Sequence, residues 1–268
     1  MQYKKLILSV LSLISFLPIA LAQRPEIGVN FGGSGYIGDF NQFNPVKLSG
    51  QNFGVFGKMN LDPHWGIGIH INRGIIEGND ANSKNEELVQ RNLNFQTTLT
   101  EIAFIGSFNF LDMYSPGSRR RVTPYLFTGV GGVIFNSKGT YIDPINNVEN
   151  IFELRKLNTE DLPSLYKNYS IVIPYGAGVK YKKSENWTIF GQLGYRTTFT
   201  DYLDDVSGVY PVVDKFWGGV NVSDRSVEFG PKLYGPGDQR GDFRKRDTYL
   251  FVNIGISYTF VSQKCFTF

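Results

Sequence analysis

Hydrophobic residues alternate with small or polar residues along most of this chain. Alternation with a period of two is typical of β-strands that present one apolar face. Eight separate segments carry the pattern, and the sequence therefore predicts eight strands. The segments are 27–32, 52–61, 65–72, 93–110, 123–135, 171–181, 187–199 and 250–260.

The residues between the apolar positions are mostly Gly, Asn, Gln and Ser, where the outer face of a soluble sandwich would carry Lys, Glu and Thr. Small polar side chains suit the crowded interior of a narrow barrel. The apolar face ends in aromatic residues, as in the girdles of outer-membrane barrels. In segment 93–110 the apolar parity switches, and we expect a bulge near Thr100 and Glu101. The expected girdle residues are Trp65, Tyr181, Trp187, Tyr195 and Tyr258.

The links between the segments alternate between short and long. The short links include 62–64, 111–122 and 183–186, and the longest are 136–168 and 201–246. Outer-membrane barrels have short periplasmic turns and long extracellular loops, whereas a soluble lipocalin-like barrel, the alternative, has no reason to sort its loops. The sequence therefore predicts an all-β fold, an eight-stranded antiparallel transmembrane β-barrel with long extracellular loops. We expect it in the cell outer membrane, with both termini in the periplasm.

The N-terminal segment and the composition restrict the kind of protein further. Residues 1–22 are predicted to be a signal peptide, because two lysines precede an apolar stretch and Ala20-Leu21-Ala22 fits a cleavage site. The barrel would then occupy residues 23–268. Cys265 is the single cysteine, which excludes an internal disulfide. No apolar run of about 18 residues follows the signal, so no spanning helix is expected. The net charge of +3 includes both signal lysines and indicates no nucleic-acid binding.

Five titratable side chains fall on the polar parity of the strands and are expected inside the barrel. Buried charges are tolerated only when they are paired, so these residues predict a polar network in the lumen. Eight strands leave no open channel, and the network is therefore expected to fill and stiffen the barrel rather than to conduct ions. The residues are Lys58, His70, Glu101, Lys180 and Arg196.

Two short motifs match known binding signatures but are explained without a binding site. Gly33, Gly35 and Gly38 form a G-x-G-x-x-G, but turn-like residues follow it where a dinucleotide site needs a helix. Arg240-Gly241-Asp242 is an integrin-type tripeptide that chance explains.

Two alternatives stay open for the remaining candidate sites. His70 could act with a Ser or Asp of a neighbouring strand in a barrel hydrolase or acyltransferase, although membership of the lumen network is the favoured interpretation. A group of acidic loop residues could bind Ca²⁺ or could form a solvated acidic loop. We expect no cofactor and no small-molecule substrate. The acidic residues are Glu160, Asp161, Asp201, Asp204 and Asp205.

Several segments resemble PorG, the outer-membrane barrel of the Bacteroidetes type IX secretion and gliding system. The more specific ones are GYRTTFTDYLDDVSGVY (194–210), SDRS (223–226) and GDQRGD (237–242). The segments at 26–41, 91–110 and 123–132 also fit, so the resemblance covers essentially all of 23–268. It implies a non-enzymatic barrel that anchors a periplasmic ring built from the lipoprotein PorK and its partner PorN. No catalytic residue transfers with the resemblance.

Only groups at the periplasmic end can reach such a ring. The 111–122 turn is the largest of the periplasmic turns, and aromatic residues and Arg are enriched at interaction hot spots. We predict that this turn, with the C-terminal tail, contacts the ring lipoprotein; outer-membrane lipid is the other expected partner. The alternative is a small barrel that modifies lipids or peptides, or a passive adhesive or transport barrel. The predicted contact residues are Met113, Tyr114, Arg119, Arg120, Arg121, Phe266 and Phe268.

Overall fold

The computed structural model describes residues 24–115, 118–143 and 146–261, most of them in β-strands. The predicted signal peptide lies outside these residues. Helical segments are short: α1 (Glu86–Arg91), α2 (Leu154–Leu157) and 3₁₀ turns at Asp80–Asn82 and Arg225–Glu228. Within the described ranges, no helix has the length and apolarity to cross a membrane. The strands are β1 (Arg24–Ile37), β2 (Leu48–Asn60), β3 (Trp65–Asn79), β4 (Asn94–Asn109), β5 (Val122–Ile142), β6 (Glu149–Glu153), β7 (Tyr169–Lys182), β8 (Trp187–Thr198), β9 (Phe216–Trp217), β10 (Val220–Asn221) and β11 (Thr248–Thr259).

Eight of these strands close into one antiparallel barrel. Neighbours follow the order β4-β3-β2-β1-β11-β8-β7-β5, and β5 pairs with β4 to complete the ring. The short β6 pairs with the projecting end of β5, while β9 and β10 form a separate hairpin in a loop. Each of the eight predicted segments corresponds to one barrel strand, which confirms the predicted fold class.

Connections of different length emerge at the two ends of the barrel. Consecutive antiparallel strands are joined alternately at one end and the other, so the two shortest connections share an end with the start of β1 and the end of β11. We call this the turn end; it carries 61–64, 110–121 and 183–186. The opposite end, the loop end, carries 38–47, 80–93, 143–168 and 199–247.

The predicted bulge near Thr100 and Glu101 is wrong. β3 and β4 pair without a register shift over their whole length, with Arg73 opposite Thr100. The odd-numbered residues of β4 point inward throughout, including the apolar Phe95 and Leu99. The apparent switch of parity arises because the interior is apolar near the loop end and polar further down.

A hydrophobic core fills the barrel at its loop end. Inward side chains of the strands meet Leu203 and Val206, which come from the connection between β8 and β11. Burial of each large apolar side chain contributes about 1.5–3 kcal/mol, so this connection is anchored inside the barrel mouth instead of extending into solvent. The buried members of the core are Tyr36, Phe40, Ile76, Leu93, Phe95, Leu99, Val133, Phe135, Phe152, Leu154, Val172, Leu203, Val206, Val222, Tyr249 and Phe251.

Candidate functional site

The polar interior lies between this core and the turn end, and it contains two buried ion pairs. In the first, Lys58 Nζ lies 2.8 Å from Glu26 Oε2. Asn60 Nδ2 donates to the same oxygen at 2.9 Å. β1 and β2 bring the pair together because Glu26 and Lys58 are directly opposite in the register. Loss of one partner would leave an uncompensated buried charge, which costs about 3–5 kcal/mol.

The second ion pair is a brace across the barrel centred on Glu101 of β4. Its Oε2 accepts from Arg196 Nε at 3.3 Å and from the Tyr249 hydroxyl at 2.6 Å. Its Oε1 accepts from Asn72 Nδ2 at 2.8 Å. The Arg196 guanidinium also lies over the Phe251 ring at 4.5 Å. Four strands, β3, β4, β8 and β11, are therefore tied together at one carboxylate.

Among the described residues, no carboxylate lies at ion-pair distance from Lys180 or His70. Lys180 Nζ donates to Asn109 Oδ1 at 2.7 Å and lies 4.4 Å from the Tyr125 ring centroid. The His70 ring stacks on Phe56 at 4.9 Å. In the described parts of the chain no Ser or Asp is hydrogen-bonded to His70, so the nucleophile and the orienting carboxylate that a His base needs are not assembled there.

All five lumen residues predicted from the sequence line a single internal cavity of about 30 Å³. That volume accommodates a water molecule and is too small for a lipid or peptide substrate. The sequence analysis missed Glu26 and Tyr249. Glu26 has the same parity as Gly28, which predicts that it faces inward. It was missed because it precedes the segment in which the alternation is evident. Nothing in the sequence distinguished Tyr249 from the other aromatic residues or indicated that its hydroxyl binds Glu101.

The loop between β8 and β11 is pinned to the barrel wall by polar contacts as well as by the core. The Leu203 carbonyl accepts from Thr97 Oγ1 at 2.5 Å and from Ser137 Oγ at 2.8 Å. Both hydroxyls are inward-facing and buried. This contact fixes segment 200–208, the most specific of the sequence motifs, in the mouth of the barrel.

The later motif, 239–242, binds the earlier one. Arg240 NH1 donates to the Asp205 carbonyl at 2.8 Å and to Glu160 Oε1 at 3.0 Å. The backbone N–H groups of Arg240 and Gly241 donate to the Gly208 carbonyl at 2.9 and 3.0 Å. Residues 199–247 thus form a folded structure in the barrel mouth, the loop plug, which includes the Arg-Gly-Asp tripeptide. The Arg240 side chain is buried in it.

The expectation of a solvated acidic loop is wrong. Asp204 and Asp205 are both buried. Asp205 accepts from the Thr159 hydroxyl at 2.5 Å and from the Tyr166 hydroxyl at 2.6 Å. Burial raises the pKa of Asp205 to about 6, although the nearby Arg240 opposes the shift. These carboxylates act as hydrogen-bond acceptors that hold the loop together.

A second group of carboxylates meets at the barrel mouth. Oxygen atoms of Asp39, Asp201 and Asp247 lie within 4.8 Å of one another, a set that could hold a hard cation or share protons. The Tyr36 hydroxyl donates to Asp204, and its oxygen lies 3.1 Å from Asp247 Oδ1. Burial, reinforced by neighbouring carboxylates, raises the pKa of Asp39 to about 7 and raises the pKa of Asp247 strongly. Protonation therefore relieves the crowding at neutral pH and below.

The turn end divides the predicted partner-contact residues into two groups. Met113 and Tyr114 are buried under the barrel, where the Met113 carbonyl accepts from Lys182 Nζ at 3.2 Å and the Tyr114 carbonyl accepts from Arg24. They close the lumen from below and present no surface to a partner, so this part of the prediction is corrected. The three consecutive arginines are exposed, and the two tail residues lie outside the described residues. The arginines are Arg119, Arg120 and Arg121, and the tail residues are Phe266 and Phe268.

The outside of the barrel carries an apolar belt. Ile69 is 55% exposed and Ile254 is 61% exposed, although both lie in the middle of strands. Contiguous apolar surface of this extent is rare on soluble monomers. Paired aromatic rings border the belt at the turn end, for example Trp187 and Tyr258 at 5.1 Å. Of the predicted girdle residues, Trp65, Tyr181, Trp187 and Tyr258 lie at this border, whereas Tyr195 packs beside Tyr175 nearer the loop end.

Comparison with known proteins gives one family and several distant structural relatives. A family model described as a domain of unknown function, DUF6089, matches residues 4–230. Comparison with curated proteins gives no match. A major outer membrane protein from Thermus thermophilus is similar at 14% identity and a TM-score of 0.44, over 89% of this chain and 100% of that chain. Ail of Yersinia pestis, in complex with the heparin analogue sucrose octasulfate, is similar at 10% identity and a TM-score of 0.40, over 89% and 99%. The fold assignment rests on the strand pairing of the chain itself.

Proposed function

This chain belongs to the DUF6089 family, a domain of unknown function, and on that premise we propose a structural, non-enzymatic role in the bacterial outer membrane. The barrel anchors a periplasmic ring of the type IX secretion machinery. The observation that carries this proposal is a lumen that is filled along its length. The hydrophobic core and loop plug close one end, and Met113 and Tyr114 close the other. A barrel filled in this way acts through its outer surfaces.

The apolar belt supports the membrane location. A closed barrel leaves no unpaired strand edge, which is what a β-structure needs to span a bilayer. The two shortest turns lie on one side and the two longest loops on the other, as in outer-membrane barrels. The turn end accordingly faces the periplasm and the loop end faces the outside, and both described termini lie on the periplasmic side.

The secretion role is supported by the resemblance of the sequence to PorG. The most specific motifs, 200–208 and 239–242, hold the loop plug together. They therefore stabilise the barrel and are not the contact with the ring. The exposed groups that can reach a periplasmic partner include Arg119, Arg120 and Arg121. We propose that these arginines contact the ring lipoprotein PorK and, through it, PorN.

The test replaces Arg119, Arg120 and Arg121 together with Ser. We expect lower recovery of the ring proteins with the barrel and lower secretion, because three cationic contacts are removed. The matched control replaces Arg244, Lys245 and Arg246, an exposed basic triplet at the loop end, with Ser. Both variants should keep the heat-modifiable migration of a folded barrel. Full ring recovery by the turn variant would place the contact elsewhere.

A further inference from the structure

Two adjoining grooves run over the outer surface of the barrel near the upper edge of the apolar belt. The first, of about 730 Å³, is mostly apolar and lies over β1, β2 and β3. Phe31 and Phe53 stand directly opposite each other at its lower end and are 68% and 58% exposed. The second groove, of about 440 Å³, lies over β3, β4 and β5 and is mostly polar. Arg73 and Thr98 line both grooves.

Arg73 occupies the boundary between the apolar and polar parts of the barrel exterior. It follows Ile67, Ile69 and Ile71 on the outward face of β3, and its neighbours in the register are Phe53 and Thr100. Its guanidinium makes no hydrogen bond or ion pair with any of the described residues. A guanidinium left unpaired at the edge of an apolar belt can extend toward the headgroup region and bind an anion there.

The polar groove adds further positive charge above Arg73. Lys138, Arg155 and Lys156 line it together with a single carboxylate, that of Glu153. Glu153 is 2.6 Å from Lys156 Nζ and is opposite Lys138 in the register, so one carboxylate serves two lysines. Arg155 Nε donates to the Tyr166 carbonyl. The groove therefore keeps an excess of positive charge on the outward side of the barrel.

We propose that these grooves form a binding site for a phosphorylated lipid of the outer leaflet. The phosphate binds Arg73 and Lys138, since guanidinium and ammonium groups make strong charge-assisted hydrogen bonds with phosphate. An acyl chain lies in the apolar groove along Phe31 and Phe53. The apolar and cationic grooves meet at one side chain, and this matches the chemistry of an amphipathic anion better than that of a free phosphate.

The site rests on the proposed outer-membrane location, and the test separates the two. The full chain is reconstituted in phosphatidylcholine bilayers that contain a diphosphorylated glycolipid or the same glycolipid with its phosphates removed. Lipid retained by the purified barrel is measured by native mass spectrometry. We expect Arg73→Gln combined with Lys138→Gln to reduce retention of the phosphorylated lipid about tenfold, as loss of charge-assisted hydrogen bonds predicts. The dephosphorylated lipid should be retained weakly by both proteins.

The matched control is Arg244→Gln combined with Lys245→Gln, which removes two exposed cations at the loop end outside both grooves and should retain the lipid as the parent does. Equal retention by parent and site variant would overturn the proposed site. Displacement of the lipid by millimolar inorganic phosphate would assign the cationic groove to free phosphate instead, which also overturns the lipid assignment. If the parent inserts and migrates as a folded barrel, such a failure concerns the lipid site alone. If it does not insert, the outer-membrane role fails.

Discussion

At the scale of the residue, glycines determine how much space the barrel interior has. Gly194 of β8 faces inward, and a Cβ there would lie 2.5 Å from the Phe127 ring. Gly191 on the same strand faces outward, and the nearest atom to a Cβ there is 3.9 Å away. A missing side chain therefore has different consequences at these two glycines, which lie on opposite faces of one strand.

We expect Gly194→Val to destabilise the barrel by about 1–3 kcal/mol, because the added carbons overfill the interior. Gly191→Val should be close to neutral, since its side chain enters open space on the apolar exterior. Urea unfolding of both variants in the same bilayers measures the difference. Equal stabilities would show that residue 194 does not face the lumen.

At the scale of the element, the outward face of a single strand shows where the apolar belt ends. Toward the loop end, the outward face of β3 changes from isoleucine at positions 67, 69 and 71 to Arg73. In the same direction, the outward face of β4 changes from Ile102 to Thr100. The change from apolar to polar occurs at adjacent register positions on both strands, because Arg73 pairs with Thr100. The apolar belt therefore ends at the same level on these two neighbouring strands.

An arginine introduced at Ile69 should cost about 2–4 kcal/mol, whereas an arginine introduced at Thr100 should cost about 0–1 kcal/mol, because the penalty falls from the bilayer midplane to the interface. Unfolding free energies of Ile69→Arg and Thr100→Arg in bilayers test this. The assignment of the lipid-facing surface would be wrong if Ile69→Arg were as stable as the parent.

The loop plug is the second element with a testable property. The pKa of Asp39 is about 7 in the folded protein, above the ordinary carboxyl value, because of burial and of the neighbouring Asp242. The folded plug therefore binds a proton that the open loop releases, and its stability falls as pH rises from about 4 to about 7. Each pKa unit between the two states is worth about 1.4 kcal/mol. The other groups facing this site are Tyr36, Arg91, Asp201, Asp204, Asp242 and Asp247.

We expect hydrogen exchange of the 199–247 amides, corrected for the intrinsic rate, to show faster opening at about pH 8 than at about pH 5. Asp39→Asn keeps the acceptor for the Asp242 N–H and should flatten this dependence. Asp161→Asn, which removes only a pair with Lys215 at the surface, should leave it in place. A parent plug that opens equally at both values of pH contradicts the assignment.

At the scale of the whole molecule, the eight strands sort every connection to one of two ends. Antiparallel closure with an even number of strands requires this, and it places the basic turn and the buried motifs on opposite sides of the barrel.

Cysteine labelling of intact cells tests the orientation in a Cys265→Ser background. A cysteine at Asn147, exposed at the loop end, should react with an impermeant reagent. A cysteine at Ser184, exposed in the turn between β7 and β8, should react only after the outer membrane is opened. The reversed pattern would invert the proposed topology.

The sequence alone determined the strands, their two faces and the end of the barrel at which the longest connections emerge. Period-two alternation is a local property, so positions such as Ile69 and Gly68 could be assigned to opposite faces without any knowledge of neighbours. The same parity placed Lys58, His70, Glu101, Lys180 and Arg196 inside.

Only the tertiary structure decided which inward residues meet and what closes the barrel. Glu26 becomes the partner of Lys58 through the register of β1 and β2, and Tyr249 reaches Glu101 across the lumen. Phe95 and Leu99 misled the sequence analysis because an inward apolar residue is reasonable only when a distant loop covers it. Residues 203 and 206 provide that cover from more than a hundred positions away, and no local pattern records contacts of such separation.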